Sequence, residues 1–124
     1  MKKYTASHEW VKIKDSPKGE IEVGLTKEAL REIGDIVHIA FPVQDTFVEK
    51  GELSCVVEST KAAIDLYAPV SGKITRCNTL LAESKELMSL LASEQGWLYV
   101  MQVKDTKELE ELLTESAYVR LLGK

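Results

Sequence analysis

Lys61 is the residue of this chain whose setting most suggests chemistry. It lies within VVESTKAAIDLYAPVSGKI, residues 56–74, among small and β-branched residues where the pattern has no need of a long cation. Strand-like runs flank it, Leu53 to Glu58 and Ile64 to Ala68, and the short stretch between them allows only a tight reversal. We therefore predict that Lys61 lies at or near a hairpin tip with its amine unobstructed. Most such lysines are simply solvated, so a role needs further support.

The other chemically capable residues show no catalytic arrangement. Cys55 and Cys77 lack Cys-x-x-Cys spacing and are interpreted as small core residues. His8 and His38 have no partner at metal-ligand spacing, and His38 is predicted to lie on the outer face of its strand. No Ser-His-Asp order, phosphate-binding glycine loop or paired-carboxylate signature is found. The chain is therefore predicted not to be an enzyme.

Length, composition and charge indicate what kind of protein carries Lys61. A chain of 124 residues has the size of one domain, residues 1–124, and 44% apolar with 29% charged residues is typical of soluble proteins. It contains no apolar run of membrane-spanning length and no secretory signal, which predicts a cytoplasmic location. The net charge of −4 without a dense basic run argues against nucleic acid and membrane surfaces. Protein partners and a monomeric state are expected.

Short strands dominate the predicted secondary structure. Residues 9–14 and 20–25 alternate apolar with polar side chains, which predicts a hairpin whose turn is Asp15 to Gly19. WLYVMQV, residues 97–103, is apolar on both faces and is predicted to be central. Further brief segments at close spacing predict an antiparallel sandwich or barrel: TFVEKG, LSCVVES, AIDLYAP and GKITRC.

Two helices are predicted. Thr26 can cap a short helix that Gly34 ends, after which residues 35–41 return to a strand pattern. Leucines at helical spacing after Asp105 predict one C-terminal helix over about 105–122, lying on the sandwich. The strand after Gly34 is predicted to place three apolar residues on one face: Val37, Ile39 and Phe41.

The sequence around Lys61 resembles a known attachment hairpin. E-S-T-K-A followed by Y-A-P-V-S-G is similar to the H protein family of the glycine cleavage system, whose members are lipoyl carriers. Biotin carriers typically have Met on both sides of the lysine, so biotin is disfavoured. The resemblance runs almost end to end and includes four further motifs: Ser7-His8-Glu9-Trp10, Val23-Gly24-Leu25-Thr26, Ile33-Gly34-Asp35-Ile36-Val37 and Gly96-Trp97.

The resemblance implies a mainly β fold of the lipoyl type, a flattened β-barrel or sandwich (barrel-sandwich hybrid) with a short helix in its N-terminal half and a C-terminal helix. It implies lipoic acid joined by an amide to Lys61, with Glu58, Ser59 and Ala62 completing the attachment motif. The arm of the family carries an aminomethyl group and reducing equivalents, while the H protein itself catalyses no step. Ser7, Glu9 and Asp65 are the residues implied to form a cleft for the loaded arm.

The implied partners are the enzymes that load, unload and reoxidise the arm: glycine decarboxylase, aminomethyltransferase and dihydrolipoyl dehydrogenase. A lipoate ligase or a lipoyl/octanoyl transferase would attach it. The chain departs from the family pattern at Ile64, where Ser or Thr is common, and over residues 84–92, where prolines and an asparagine are usual. These departures suggest altered protection of the arm, or the alternative of a lipoyl donor or relay for other 2-oxoacid dehydrogenase complexes. A free-standing enzyme or unmodified interaction module is the third hypothesis.

Overall fold

A computed structural model describes residues 2–14, 19–83 and 86–123. Within these ranges the helices are α1 Lys27–Ile33, α2 Leu80–Glu83, α3 Leu87–Leu91, α4 Lys107–Glu110 and α5 Glu115–Leu121. The strands are β1 Lys2–Tyr4, β2 Glu9–Ile13, β3 Glu20–Leu25, β4 Ile36–Ala40, β5 Phe47–Val48, β6 Leu53–Ser59, β7 Ala63–Tyr67, β8 Gly72–Cys77 and β9 Trp97–Val103.

The strands form two antiparallel sheets that enclose the core. The larger has the order β1-β2-β3-β9-β8-β5, the smaller has the order β4-β6-β7, and neither closes on itself. This arrangement confirms the predicted mainly β fold, in its sandwich form. β9 pairs with β3 and β8, so it is central as predicted, and Leu98, Tyr99 and Met101 are almost completely buried.

The N-terminal hairpin and the first helix form as predicted. Val11 faces Val23 across β2 and β3, and both side chains are buried. The predicted turn lies largely outside the described residues, which omit 15–18. Thr26 begins α1 by accepting a hydrogen bond from the Ala29 backbone N–H (3.2 Å). Gly34 ends it at φ 85°, a backbone conformation that other residues rarely adopt.

The predicted face of β4 is wrong. Ile36 and Ile39 are buried, whereas Val37 is 61% exposed. The register opposite β6 shifts between Ile36 and His38, and such a bulge interrupts the alternation of side chains between the two faces. His38 is exposed, as expected.

The C-terminal segment contains a helix, but the single helix predicted over 105–122 is wrong in extent. α4 ends at Glu110, and Leu113 then pairs with Tyr4 through two backbone hydrogen bonds of 2.8 Å. Thr114 begins α5 by accepting from the Ala117 N–H (3.2 Å). The leucine spacing stays helical across this break because only a few residues separate the two helices. Those residues include Leu113, which forms a β-bridge with Tyr4 at the edge of the larger sheet.

The divergent segment over residues 84–92 is partly described, since the structure describes it from Glu86 onward. It forms α3, in which Leu91 is buried and Leu87, Met88 and Leu90 pack against the core. The apolar residues of this segment therefore contribute to folding. No helix in the described part of the chain is both long and apolar enough to span a membrane.

Candidate functional site

Lys61 lies at the tip of the β6–β7 hairpin. The strands pair as far as Glu58 and Ala63, and the Ser59 N–H donates to the Ala62 carbonyl (2.8 Å) to close the reversal. The Ser59 hydroxyl accepts from the backbone N–H groups of Lys61 and Ala62, each at 3.2 Å. The tip thus needs no Asn-Gly turn, because a serine side chain satisfies its backbone donors.

The hairpin tip is also anchored to the neighbouring strand. The Thr60 N–H donates to the Asp35 carbonyl just before β4 (3.1 Å). The Lys61 side chain is exposed, and within the described ranges its amine takes part in no hydrogen bond or ion pair. A rigid tip with a free amine fits a lysine that another enzyme must reach and acylate. Of the other motif residues, Glu58 and Ala62 are exposed and Ser59 is half-buried.

A cavity of about 230 Å³ lies beside this hairpin, where the start of β2, the side of α1 and β7 meet. Three residues predicted to share a cleft, Ser7, Glu9 and Asp65, all line it. β7 begins two residues after Lys61 and carries Ile64 and Asp65 to the cavity. One wall of the cleft is therefore continuous in sequence with the lysine.

Glu9 is the buried charge of the cleft, with only 2% of its surface exposed. Its Oε1 accepts from the hydroxyls of Thr5 and Ser7, each at 2.7 Å. Burial raises the pKa of Glu9, and the hydrogen bonds from Ser7, Thr5 and the Tyr67 backbone N–H oppose that rise. A buried carboxylate held mainly by neutral donors is a strong attractor for a cation.

Two exposed carboxylates, Asp65 and Glu32, also line the cleft. Glu32 projects from the end of α1, and its Oε2 lies 3.7 Å from His8 Nε2. With Glu9 inside, the cleft combines three carboxyl groups with an apolar wall that includes Ile33 and Ile64. Such a surface suits a small amine at the end of an aliphatic chain.

His8 is the functional candidate that sequence analysis missed. The sequence pattern predicts no role for this histidine, yet it lines the cleft together with its neighbours Ser7 and Glu9. Its φ is 69°, a left-handed value that is uncommon for a residue other than glycine. The available sequence signal was its place inside the Ser7-to-Trp10 motif. Glu32 and Tyr67 also line the cleft and carried no separate signal.

The cysteines lie away from this site. Cys55 is 2% exposed, and burial raises its pKa to about 12, so its thiol is unreactive at neutral pH. This confirms its interpretation as a core residue. Cys77 is half-buried and its thiol donates to the Pro42 carbonyl (3.3 Å).

Fold and site together define a class: a small β-sandwich carrier domain that presents one accessible lysine on a rigid hairpin beside an acidic cleft. Comparison with known proteins identifies the family. The family model for the glycine cleavage H-protein matches residues 2–124. Glycine cleavage system H proteins from Thermotoga maritima and Bartonella quintana are 45% and 41% identical, over 95% and 97% of this chain and 93% and 96% of theirs.

A solved structure gives the same result. The crystal structure of a glycine cleavage system H protein from Mycobacterium marinum superposes with a TM-score of 0.86 at 36% identity, covering 99% of this chain and 97% of that one. The chain belongs to the glycine cleavage H-protein family. The family and fold class predicted from sequence are thus confirmed, and membership supports the carrier role in glycine cleavage over the relay alternative.

Proposed function

We propose that this chain is the lipoyl carrier subunit of a glycine cleavage system, with lipoic acid joined by an amide to Lys61. The observation that carries the proposal is the exposed amine of Lys61, which has no partner among the described residues, at the tip of an anchored hairpin. Family membership supplies the context, since the relatives named above are H proteins of that system.

The protein contributes accessibility and rigidity at the attachment point. The lipoyl group, when attached, supplies a dithiolane that can carry a group as a thiol adduct and exchange reducing equivalents. Ser59, Thr60 and Ala62 hold the tip backbone through hydrogen bonds, so the position of Lys61 relative to the sandwich is well defined. The flexible arm then determines how far the cargo reaches, and tethering keeps its local concentration high near a docked enzyme.

The cleft is proposed to receive the amine of the cargo through Ser7, Glu9 and Asp65. A carboxylate offers about four acceptor positions. The donors Thr5, Ser7 and the Tyr67 N–H account for three of those on Glu9, which leaves room for one more donor. An ammonium group placed there would relieve the burial cost of Glu9, and Asp65 at the opening would add a second anion.

The proposal assigns the catalytic steps to partner enzymes and none to this chain. Glycine decarboxylase loads the aminomethyl group, aminomethyltransferase unloads it, and dihydrolipoyl dehydrogenase reoxidises the arm. A lipoate ligase or lipoyl/octanoyl transferase attaches the arm to Lys61. The proposal also takes the protein to be a cytoplasmic monomer. It binds neither nucleic acid nor membranes, a point that the net charge of −4 without a dense basic run supports.

The test is the intact mass of the protein isolated from its own cells, followed by peptide mapping across residues 51–73. We expect one lipoyl increment, located on Lys61. An unmodified Lys61 in cells whose other lipoyl proteins are fully modified would overturn the proposal. An octanoyl increment alone would show that attachment occurs but that the carrier is not matured, which would also contradict the proposed role.

A further inference from the structure

The His8 side chain joins the cleft to the C-terminal helix through a chain of hydrogen bonds. His8 Nδ1 lies 2.8 Å from the Tyr118 hydroxyl on α5, and that hydroxyl lies 2.8 Å from the Thr26 hydroxyl. Thr26 in turn accepts from the Ala29 N–H at the start of α1. Tyr118 and Thr26 are buried, so these polar groups depend on one another for hydrogen bonds.

The backbone of His8 is held as firmly as its side chain. Its carbonyl accepts from the Thr26 N–H (3.0 Å) and its N–H donates to the Thr5 carbonyl (3.2 Å). His8 lies in the turn just before β2, where its positive φ occurs, and residues 7, 8 and 9 all line the cleft. Tyr4 stacks in parallel on the Tyr118 ring with a centroid distance of 4.8 Å.

The donors and acceptors in this series of hydrogen bonds indicate which nitrogen of the His8 imidazole carries the proton. Thr26 Oγ1 already accepts one backbone N–H, and its own proton has Tyr118 Oη as the acceptor within reach. The arrangement that gives both hydroxyl protons an acceptor has Thr26 donating to Tyr118 and Tyr118 donating to His8, which makes Nδ1 an acceptor and leaves the proton on Nε2. The other end agrees, because Nε2 faces the Glu32 carboxylate at 3.7 Å, where a lone pair would be repelled and an N–H attracted.

We propose that Tyr118 is a positioning residue for the cleft: its hydroxyl holds His8 against the cleft wall as the Nε2–H tautomer, which keeps the Glu32 carboxylate at the cleft opening as a third anion for the amine of the arm. A neutral imidazole in this position leaves the carboxylates of Glu9, Glu32 and Asp65 available to the cargo. An imidazole released from Tyr118 could instead turn towards those carboxylates. The proposal rests on the proposed function only for its effect on cargo.

The tautomer can be measured without any lipoyl group. Long-range proton–nitrogen correlation spectra of the unmodified chain, recorded at about pH 8.5, roughly two units above the ordinary histidine pKa, report which ring nitrogen carries the proton. The chain contains two histidines, so exposed His38 supplies the reference for a free ring in the same spectrum. We expect His8 to be the Nε2–H tautomer in the wild type and to move towards the His38 pattern in Tyr118→Phe.

Tyr4→Phe is the matched control, because it removes a hydroxyl from the same aromatic stack but not from the hydrogen-bond chain. Thr26→Ser keeps both the helix cap and the hydroxyl, so it should retain the wild-type tautomer. A proton on Nδ1 in the wild type, or an unchanged His8 signal in Tyr118→Phe, would overturn the proposal. Thermal unfolding of each variant shows whether the fold is retained.

The effect on cargo is measured on the lipoylated chain loaded by glycine decarboxylase, without aminomethyltransferase. Water then slowly releases the aminomethyl group as formaldehyde and ammonia, leaving the dihydrolipoyl thiol. We expect this release to be roughly threefold to tenfold faster in Tyr118→Phe and Glu32→Gln, as for loss of one hydrogen bond or a partly exposed charge contact. Tyr4→Phe and Glu28→Gln, on the other side of α1, should match the wild type.

The two measurements distinguish failure of this inference from failure of the proposed function. A shifted tautomer with unchanged release would refute the role of Tyr118 and Glu32 towards the cargo and leave the carrier function intact. A wild-type chain that cannot be lipoylated or loaded would refute the proposed function, and the tautomer would then describe the fold alone.

Discussion

The Lys61 hairpin and the cleft beside it are built in opposite ways. The hairpin is a local structure: its tip is closed by bonds among residues 59–62, and it leaves Lys61 exposed. The cleft is non-local, since it gathers Ser7, Ala29 and Asp65 from three separate segments and buries Glu9. A carrier needs both, because attachment requires access by a modifying enzyme whereas holding a cargo requires shielding from water.

Replacing Lys61 tests this contrast most strongly. Lys61→Arg should keep the fold and eliminate lipoylation and glycine cleavage, because a guanidinium stays protonated and cannot form the amide. Mass spectrometry and a reconstituted assay with the partner enzymes measure both effects. Lys73→Arg, on an exposed position of β8, is the control and should behave as the wild type. Full turnover with Lys61→Arg would mean that Lys61 is not the site that carries the lipoyl group.

Neutralising the buried carboxylate should have the next largest effect. Glu9→Gln should accelerate release of the cargo amine by about tenfold or more, since a charge-assisted hydrogen bond contributes roughly 1.5–3 kcal/mol. Lipoylation of Lys61 should be unchanged. Glu110→Gln, on exposed α4, controls for the change in net charge. Equal release rates in Glu9→Gln and wild type would remove Glu9 from the proposed amine site.

The same residue predicts a dependence of stability on pH. Because burial raises the pKa of Glu9 above the ordinary 4.5, the folded state holds that proton more tightly than the unfolded state. The free energy of unfolding contributed by Glu9 is therefore fully present below pH 4.5 and is lost as the pH rises through the raised value. Denaturation measured at a series of pH values from 4.5 upward should show this loss of unfolding free energy in the wild type but not in Glu9→Gln. Parallel curves would contradict it.

Removing the serine that holds the hairpin tip should have a moderate effect. Ser59→Ala leaves the Lys61 and Ala62 N–H groups without their side-chain acceptor, which should cost about 1 kcal/mol of unfolding free energy. Lipoylation should slow because the tip becomes less ordered, while release of loaded cargo should not change. Ser116→Ala, at an exposed position of α5, is the control. A change in cargo release would show that tip and cleft are coupled.

The smallest effect is expected at the position that departs from the family pattern. Ile64→Thr places a hydroxyl in the apolar wall of the cleft and should lower stability by about 1 kcal/mol, since Ile64 is half-buried against the core. Cargo release should change less than in Glu9→Gln. Ile13→Thr, at a half-buried position of β2 that does not line the cleft, gives the cost of the same change elsewhere. A larger effect on release than that of Glu9→Gln would make Ile64 the main determinant of cargo shielding.

Sequence patterns were accurate where the determining interactions are short in range. The hairpin of β2 and β3 and the Thr26 cap follow from periodicity or from a side chain that bonds its own neighbours. The central position of β9 was predicted from another signal, the apolar residues on both of its faces. The predicted face of β4 was wrong because a bulge opposite β6 shifts the alternation of its side chains between the two faces. The C-terminal helix was split by a backbone pairing with Tyr4 that lies at the other end of the chain.

The sequence by itself determined the family, the sandwich and the exposed place of Lys61, because the motif around Lys61 is contiguous and its hairpin is closed by adjacent residues. Only the tertiary structure decided what surrounds the cleft. His8 and Tyr118 are 110 positions apart, and no local pattern relates a left-handed histidine to a tyrosine on the last helix. Burial and proton placement are properties of groups packed together, so the cleft exists only once distant segments have met.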